Sequence, residues 1–216
     1  MLIEFFHQTI EYQRWGFNML TVSSLATIFF TTVLGWAFWK QDQTVRERHS
    51  GKSVSALWHT YYAFLSLSTL IYGFHVTSIA LIYNGLLCIP RFSIILGLRR
   101  YKGFALTEKI SLAVFAVLPI AMYILPWKDQ TFLVIAFGSI IAYAFQPWEI
   151  WKNKSAGDVD IRLIITYFIA TLFWVIYSYI ANIWSLMIIN RIMLVLVGLT
   201  IVLWFRYRQR TAPKLP

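Results

Sequence analysis

The sequence predicts an all-α membrane protein with seven transmembrane helices, arranged as two parallel three-helix repeats joined by a linker helix. Three observations lead to this prediction: the chain is 59% apolar and only 13% charged, it contains seven long apolar segments, and its halves repeat the same residues. Soluble domains carry about a quarter charged residues, and a bilayer accepts about 20 apolar residues as one spanning helix.

The seven predicted spans cover residues 17–39, 57–74, 76–98, 110–127, 131–151, 162–181 and 184–205. Repeat 1 is predicted over 17–100 and repeat 2 over 131–206. Three spans reverse the direction of the chain, so the linker helix within 101–130 makes the two repeats parallel.

The remaining segments are expected to lie outside the bilayer. Residues 1–16 are predicted to be a solvated N-terminal lead-in, and residues 207–216 a cytoplasmic tail. The charged stretch from Asp42 to His49 is predicted to be a solvated hairpin between the first two spans.

The formal net charge of +10 is distributed unevenly along the chain. Fifteen basic residues fall in alternate loops and the tail, whereas only Arg14 and Lys128 fall in the other loops. This positive-inside bias predicts an N-terminus outside and a C-terminus in the cytoplasm. It explains the basic charge by topology, and no nucleic-acid partner is expected.

Equivalent residues recur at nearly constant spacing in the two halves. Tyr72 and Tyr177 are 105 residues apart, and Asn84 and Asn190 are 106 apart. Such internal similarity within apolar segments is typical of transporters whose binding site lies between repeats.

The second half carries a series of motifs: Gln146-Pro147, Lys152-Asn153-Lys154-Ser155, Trp174-Val175-Ile176-Tyr177-Ser178, and Asn190 sixteen residues after Trp174. This series resembles the PQ-loop and SWEET superfamily of transporters, including the half-sized SemiSWEETs. The resemblance implies a facilitative carrier of a small polar solute, with sugar favoured, that works by alternating access. In the first half, Val33 and Leu34 stand where the Pro-Gln pair is expected.

The sixth span has one small, polar and aromatic face, because Tyr167, Ala170, Thr171, Trp174, Tyr177 and Ser178 recur at three- and four-residue spacing. We expect Trp174 and Tyr177 to contact the solute, with Thr69 of the second span at the position equivalent to Trp174. Close helix packing is the alternative interpretation of such a face.

Asn84 and Asn190 are amides within apolar spans, so each needs a hydrogen-bond partner. By resemblance they hold a solute hydroxyl, which an amide suits because it both donates and accepts. Their alternative role is to hold neighbouring helices together.

Arg91 and Arg191 are predicted to lie at membrane depth, where a charge is costly and faces a cavity or a partner. Arg191 is expected to meet an anionic group of the solute, and Arg91 can share a face with Asn84. Pairing with Glu149 and, for Arg91, extension toward the cytoplasm are the alternatives.

Gly35 and Pro147, 112 residues apart, are predicted hinges of an inner gate, together with Gln146. The sequence contains no metal-ligand cluster, phosphate-binding glycine loop or nucleophile–base spacing, so neither enzymatic activity nor a cofactor is expected. The expected partners are a small solute and the lipid bilayer, and homo-oligomerisation stays open.

Two further functions remain as alternatives. KDEL receptors are seven-helix relatives of this superfamily, and by resemblance they bind a peptide carboxylate through arginine. This implies a binding protein, or a carrier of amino acids or organic acids, that uses the intramembrane arginines. The last alternative is a structural subunit of a larger membrane complex.

Overall fold

The structure, a computed structural model, describes residues 2–47, 49, 56–101, 103–154 and 161–208. Throughout these residues the regular elements are α-helices and no strand occurs. In chain order they are α1 (Leu2–Gln8), α2 (Ile10–Gln13), α3 (Met19–Glu47), α4 (Ala56–His75), α5 (Ile79–Gly85), α6 (Cys88–Tyr101), α7 (Leu106–Ile124), α8 (Lys128–Asn153), α9 (Ile161–Ile180) and α10 (Trp184–Tyr207).

Four helical stretches are long and apolar enough to cross a membrane: Met19–Glu47, Ile79–Tyr101, Leu106–Ile124 and Trp184–Tyr207. The chain is therefore an all-α integral membrane protein, as the sequence predicts. Helices α4, α8 and α9 are not among these four, so the layout of seven spans stays a prediction. Large apolar side chains are exposed along one stripe of α7: Ile110, Val114, Val117, Ile120 and Ile124.

The long helices pack as two groups, and corresponding helices of the two groups make corresponding contacts. The N-terminal group is α3–α6 and the C-terminal group is α8–α10. Helix α3 packs on α6 of its own group and on α9 of the other, while α8 packs on α10 and on α4. Helix α7 lies beside α4 and α8. Each group therefore places its first helix against the second helix of the other.

Two tight turns of matching geometry connect α4 to α5 and α9 to α10. Thr77 and Asn182 have left-handed backbones, with φ of 51° and 56°. The amides of Ser78 and Ile183 each donate to the carbonyl oxygen five residues earlier, at 2.9 and 3.0 Å. This bond is characteristic of the Schellman motif that ends a helix. We call the end of the bundle that holds both turns the hairpin end.

The third predicted span is interrupted by a turn at residues 86–87, between α5 and α6. Pro90 explains the interruption, because it has no N–H and its ring clashes with a helical carbonyl four residues earlier. The carbonyl of Leu86 instead accepts a hydrogen bond from Ile89, at 3.0 Å. Helix α10 of the C-terminal group continues without such a turn.

Helix α3 extends to Glu47, so the predicted solvated hairpin is wrong for residues 42–47. Asp42 is buried, and its Oδ2 accepts hydrogen bonds from Ser93 Oγ at 2.7 Å and Arg46 Nε at 2.9 Å. Because Ser93 lies on α6, these bonds hold the extension of α3 within the bundle instead of releasing it into solvent.

The N-terminal segment also differs from the predicted solvated lead-in. It forms the short helices α1 and α2, and the Glu11 side chain of α2 is only 3% exposed. The amide of Ile10 donates to the carbonyl of Thr77 at 3.0 Å. Residues 9–11 therefore attach the segment to the hairpin end, while most of its other side chains are exposed.

Candidate functional site

A cavity of about 160 Å³ lies between the two helix groups. Its walls come from α4, α5 and α6 on one side and α8, α9 and α10 on the other, with Leu34 of α3 and the turn residue Leu87 completing the lining. A cavity of about 150 Å³ holds one benzene-sized molecule. The space therefore suits a single small solute.

The two helix groups present corresponding positions to this cavity. Four pairs relate α4 to α9 at a spacing of 105, and two relate the third helices at the 106-residue spacing of the amides: Tyr62 and Tyr167, Leu65 and Ala170, Ser66 and Thr171, Thr69 and Trp174, Asn84 and Asn190, and Leu87 and Met193. The cavity is nevertheless asymmetric, because the small Thr69 faces it from α4 where the large Trp174 faces it from α9.

Both predicted amides line the cavity, and each is also tied to the protein. Asn84 Nδ2 donates to Thr31 Oγ1 of α3 at 3.2 Å, and Asn190 Nδ2 donates to the Trp174 carbonyl at 3.3 Å. The two bonds use the NH₂ groups. The amide oxygens accept no hydrogen bond among the contacts found in the described residues.

The hydroxyl groups of the lining are mostly turned toward their own helices. Thr69 and Thr171 donate to the carbonyls of Leu65 and Tyr167 at 2.9 and 2.7 Å, and Ser139 donates to Ala136 at 2.6 Å. A hydroxyl that donates in this way still has oxygen lone pairs for accepting. The lining can thus accept hydrogen bonds from a polar solute at several points.

Arg91 is the one basic residue of the described lining, and it is only 6% exposed. Its Cζ lies over three rings, 4.0 Å from the centroid of Phe38, 5.1 Å from that of Trp58 and 4.9 Å from that of Tyr62. Cation–π attraction offsets part of the cost of burying the charge. Arg91 is therefore buried within the bundle instead of extending to its surface, and it lines the same cavity as Asn84.

At the hairpin end, Tyr72 of α4 forms a buried cluster with Ser185 and Asp129. Its hydroxyl donates to the Asp129 carboxylate and lies 2.8 Å from Ser185 Oγ. Its ring stacks on Phe132, with centroids 4.2 Å apart and planes inclined by 7°. We call these four residues the Tyr72 cluster, and it joins the N-terminal group to the C-terminal group.

Tyr177 of α9 forms the corresponding cluster with Ser78 and Glu11. Its hydroxyl donates to Glu11 Oε1 at 2.6 Å and lies 2.6 Å from Ser78 Oγ. Glu11 also accepts from Ser78 Oγ at 2.9 Å and from the amides of Ile79 and Ala80 at 3.0 Å. This Tyr177 cluster joins the C-terminal group to α2 and to the start of α5.

Both tyrosines are fully buried at the hairpin end. Each tyrosine also contacts a residue of the lining. Tyr72 stacks on Phe132, and Tyr177 meets Trp174 edge to face with centroids 5.6 Å apart. A movement of Phe132 or Trp174 would therefore displace the tyrosine that it contacts, and with it the hydrogen bonds of that tyrosine's cluster.

Two of the predicted solute-binding residues lie outside the cavity. Tyr177 is occupied by the cluster at the hairpin end, because its ring points there from the same helix face as Trp174 but one turn further on. Arg191 follows Asn190 and so projects from a different side of α10, where it is exposed and lies 4.5 Å from the Tyr179 ring. We correct the sequence-based assignment of both residues accordingly.

Neither predicted hinge interrupts its helix, because α3 is helical through Gly35 and α8 through the buried Pro147. The side chains of Gln146 and Glu149 lie outside the described part of the structure, and with them the predicted pairing of an arginine with Glu149. The helical interruption that borders the cavity is instead the turn at residues 86–87.

Glu11 and Asp129 were not expected from sequence to have a role. The available signal was positional: each acid precedes or begins the first long helix of its group, and each meets a tyrosine that the sequence repeats. Among the described residues no group of three or more histidine, cysteine or acidic side chains could hold a metal ion.

Comparison with known proteins gives no match for this chain, either with models of protein families or with curated proteins.

Proposed function

We propose that the protein is a SWEET-like carrier that moves a small polar solute, with sugar favoured by the resemblance, across a membrane by alternating access. The observation that best supports this proposal is the cavity between two helix groups, lined by six pairs of corresponding residues. In the proposed layout, α3, α4 and α5–α6 form repeat 1, α8, α9 and α10 form repeat 2, and α7 is the linker.

Asn84, Asn190, Trp174 and Thr69 are the proposed solute-contacting residues. The amide oxygens accept from solute hydroxyl or amino groups, and Trp174 provides a flat apolar wall for a ring or carbon chain. In the proposed orientation, which the positive-inside bias of the sequence supports, the hairpin end faces outside and the C-terminus lies in the cytoplasm. The Tyr72 and Tyr177 clusters then act as the outer gate, closed in this conformation.

Opening the outer gate requires the two clusters to exchange hydrogen bonds within the protein for bonds to water. The stacking of Phe132 on Tyr72 and the contact of Trp174 with Tyr177 couple the cavity to this gate. A solute that moves either lining residue therefore favours one gate state by its differential contacts with the two states.

The proposal is tested by counterflow in proteoliposomes loaded with one unlabelled compound, using a sugar, a neutral amino acid and a small organic acid in turn. Transient accumulation of the labelled compound is expected for at least one class, and it should be reduced in Asn190→Ala and Trp174→Ala. The control is Arg191→Gln, because this residue lies outside the cavity. Absence of counterflow for every class would contradict the proposal.

A binding protein of the KDEL-receptor kind is the second candidate, and the buried Arg91 in the cavity is the observation that favours it. Such a protein would bind its ligand with saturation but would give no counterflow. The same proteoliposomes therefore separate the two functions.

A further inference from the structure

Three aromatic rings lie close to the guanidinium of Arg91. Phe38, Trp58 and Tyr62 lie 4.0–5.1 Å from Cζ, measured to their ring centroids, and aromatic faces attract a cation through their electron density. A ring face does little for the N–H groups in the guanidinium plane, which require acceptors of their own.

Two of the three guanidinium nitrogens lack such an acceptor in the part of the chain that the structure describes. Nε and Nη1 of Arg91 are both buried and have no hydrogen-bond partner among the described residues. Leaving a buried charged donor unpaired costs more than making the bond would gain. An arginine held in this way is prepared to receive an acceptor, and the residue lies on the cavity wall.

The charge balance of the cavity points in the same direction. No acidic side chain belongs to the described lining, and Asp42, the buried acid on α3, is bound to Ser93 and Arg46. A ligand with one negative charge would balance the positive charge of Arg91, which has no acidic partner in the described lining. A carboxylate fits this requirement better than a phosphate, which carries between one and two charges at neutral pH.

The position of Arg91 relative to the amides sets the form of the ligand. Asn84 of α5 and Arg91 of α6 lie on either side of the turn at residues 86–87. The two side chains reach the same cavity of about 160 Å³. A small ligand with a carboxylate at one end and a hydroxyl or amino group toward the other would satisfy both.

We propose that the cavity binds a small carboxylate-bearing solute. Its carboxylate binds Arg91, whose guanidinium lies among the side chains of Phe38, Trp58 and Tyr62. This assignment rests on the proposed function only for the claim that the solute is transported, because binding itself requires the cavity alone. It changes the favoured class from a neutral sugar to an organic acid, sugar acid or amino acid.

The test measures ligand-dependent thermal stabilisation of the detergent-purified full chain with matched compounds. Glucose is paired with glucuronate, and 1,2-propanediol is paired with lactate, so that each pair differs mainly in the carboxylate. A ligand that binds only the folded state raises Tm as its concentration increases. We expect stabilisation by one or both carboxylates and little by their neutral partners.

Three arginine variants locate the effect. Arg91→Gln should weaken carboxylate binding by about 100-fold, because charge-assisted bonds to a buried arginine are lost. Arg91→Lys keeps the charge without the planar fork and should weaken it by about tenfold. Arg191→Gln removes an arginine outside the cavity and should leave binding unchanged.

The outcomes are distinct. Equal stabilisation by glucose and glucuronate, retained in a folded Arg91→Gln variant, would overturn the inference while leaving the carrier proposal intact. Carboxylate binding without counterflow would retain the inference and contradict the carrier. If Arg91→Gln fails to fold, the matched compounds on the unmodified chain decide, and no preference for carboxylates overturns the proposal.

Discussion

The two helix groups are alike at the hairpin end and differ in residues that line the cavity. At the hairpin end both have a left-handed turn residue and a fully buried tyrosine whose hydroxyl lies beside a serine hydroxyl of the other group, at 2.8 and 2.6 Å. In the third helix they diverge, since Pro90 and Arg91 of the N-terminal group correspond to Leu196 and Val197 of α10 at the spacing of Asn84 and Asn190.

This divergence assigns separate tasks to the two groups. The N-terminal group supplies the positive charge and the rings around it, with Phe38 corresponding to Ile150 in α8 at a spacing of 112. The C-terminal group supplies Trp174 where the other group has Thr69. A pseudo-symmetric frame with an asymmetric lining is the arrangement expected for a ligand that has two unlike ends.

The largest effect should come from Gly85, the N-terminal counterpart of Arg191. A Cβ at position 85 would lie 2.5 Å from Leu70 N and Cα, so α4 and α5 would have to separate. Gly85→Ala is expected to destabilise the fold by about 3 kcal/mol in thermal unfolding. The control is Gly198→Ala, whose Cβ meets Phe168 at an ordinary 3.5 Å. Similar stability of the two variants would contradict this close packing.

The two clusters at the hairpin end should differ in strength. Glu11→Ala leaves two hydroxyl and two amide donors without their acceptor, so a loss of about 3 kcal/mol is expected. Asp129 accepts from Tyr72 at a half-buried position, and Asp129→Ala should cost about 1 kcal/mol. Thermal unfolding of both variants measures the difference. Equal losses of stability in the two variants would contradict the expectation that the Tyr177 cluster is stronger than the Tyr72 cluster.

Replacing Trp174 by the residue of the other group tests the asymmetric wall. Trp174→Thr should weaken solute binding by about tenfold, because the loss of a stacking aromatic is worth about 1 to 1.5 kcal/mol. The matched control is Thr69→Ser, which keeps the hydroxyl and should change affinity by less than about twofold. Titration of ligand-dependent Tm compares them, and unchanged affinity in Trp174→Thr would remove this residue from the site.

The smallest effect concerns the two turns. Thr77 is β-branched and adopts φ of 51°, a conformation that favours glycine and asparagine. Thr77→Asn copies the residue of the other turn and should stabilise the protein by about 0.5 to 1 kcal/mol. Asn182→Thr is the reciprocal change and should destabilise it by a similar amount. Destabilisation by Thr77→Asn, or stabilisation by Asn182→Thr, in thermal unfolding would contradict the equivalence of the turns.

Residues that share one helix face could be placed from sequence. Thr69 and Asn84 reached the cavity as expected, as did Trp174 and Asn190, because three- and four-residue spacing sets the angular position of a side chain. The same reasoning failed for Tyr177, since a helix face continues past the end of a cavity. It failed for Arg191 because adjacent helical residues point in different directions.

The contacts between distant segments could not be obtained from sequence. Glu11 and Tyr177 are 166 residues apart, and no local pattern records their bond. A charged stretch such as Asp42 to Glu47 also gives no sign that α6 will supply Ser93 as a partner. Whether an acidic side chain is buried therefore depends on tertiary packing, which cannot be predicted from the periodicity of a single helix.

The most direct test of the central claim is counterflow of a small carboxylate in proteoliposomes, compared between the unmodified chain, Arg91→Gln and Arg191→Gln. The account predicts accumulation of labelled lactate or glucuronate by the unmodified chain and by Arg191→Gln, with at least a tenfold lower rate for Arg91→Gln. Equal rates for the two variants, or no accumulation by the unmodified chain, would contradict it.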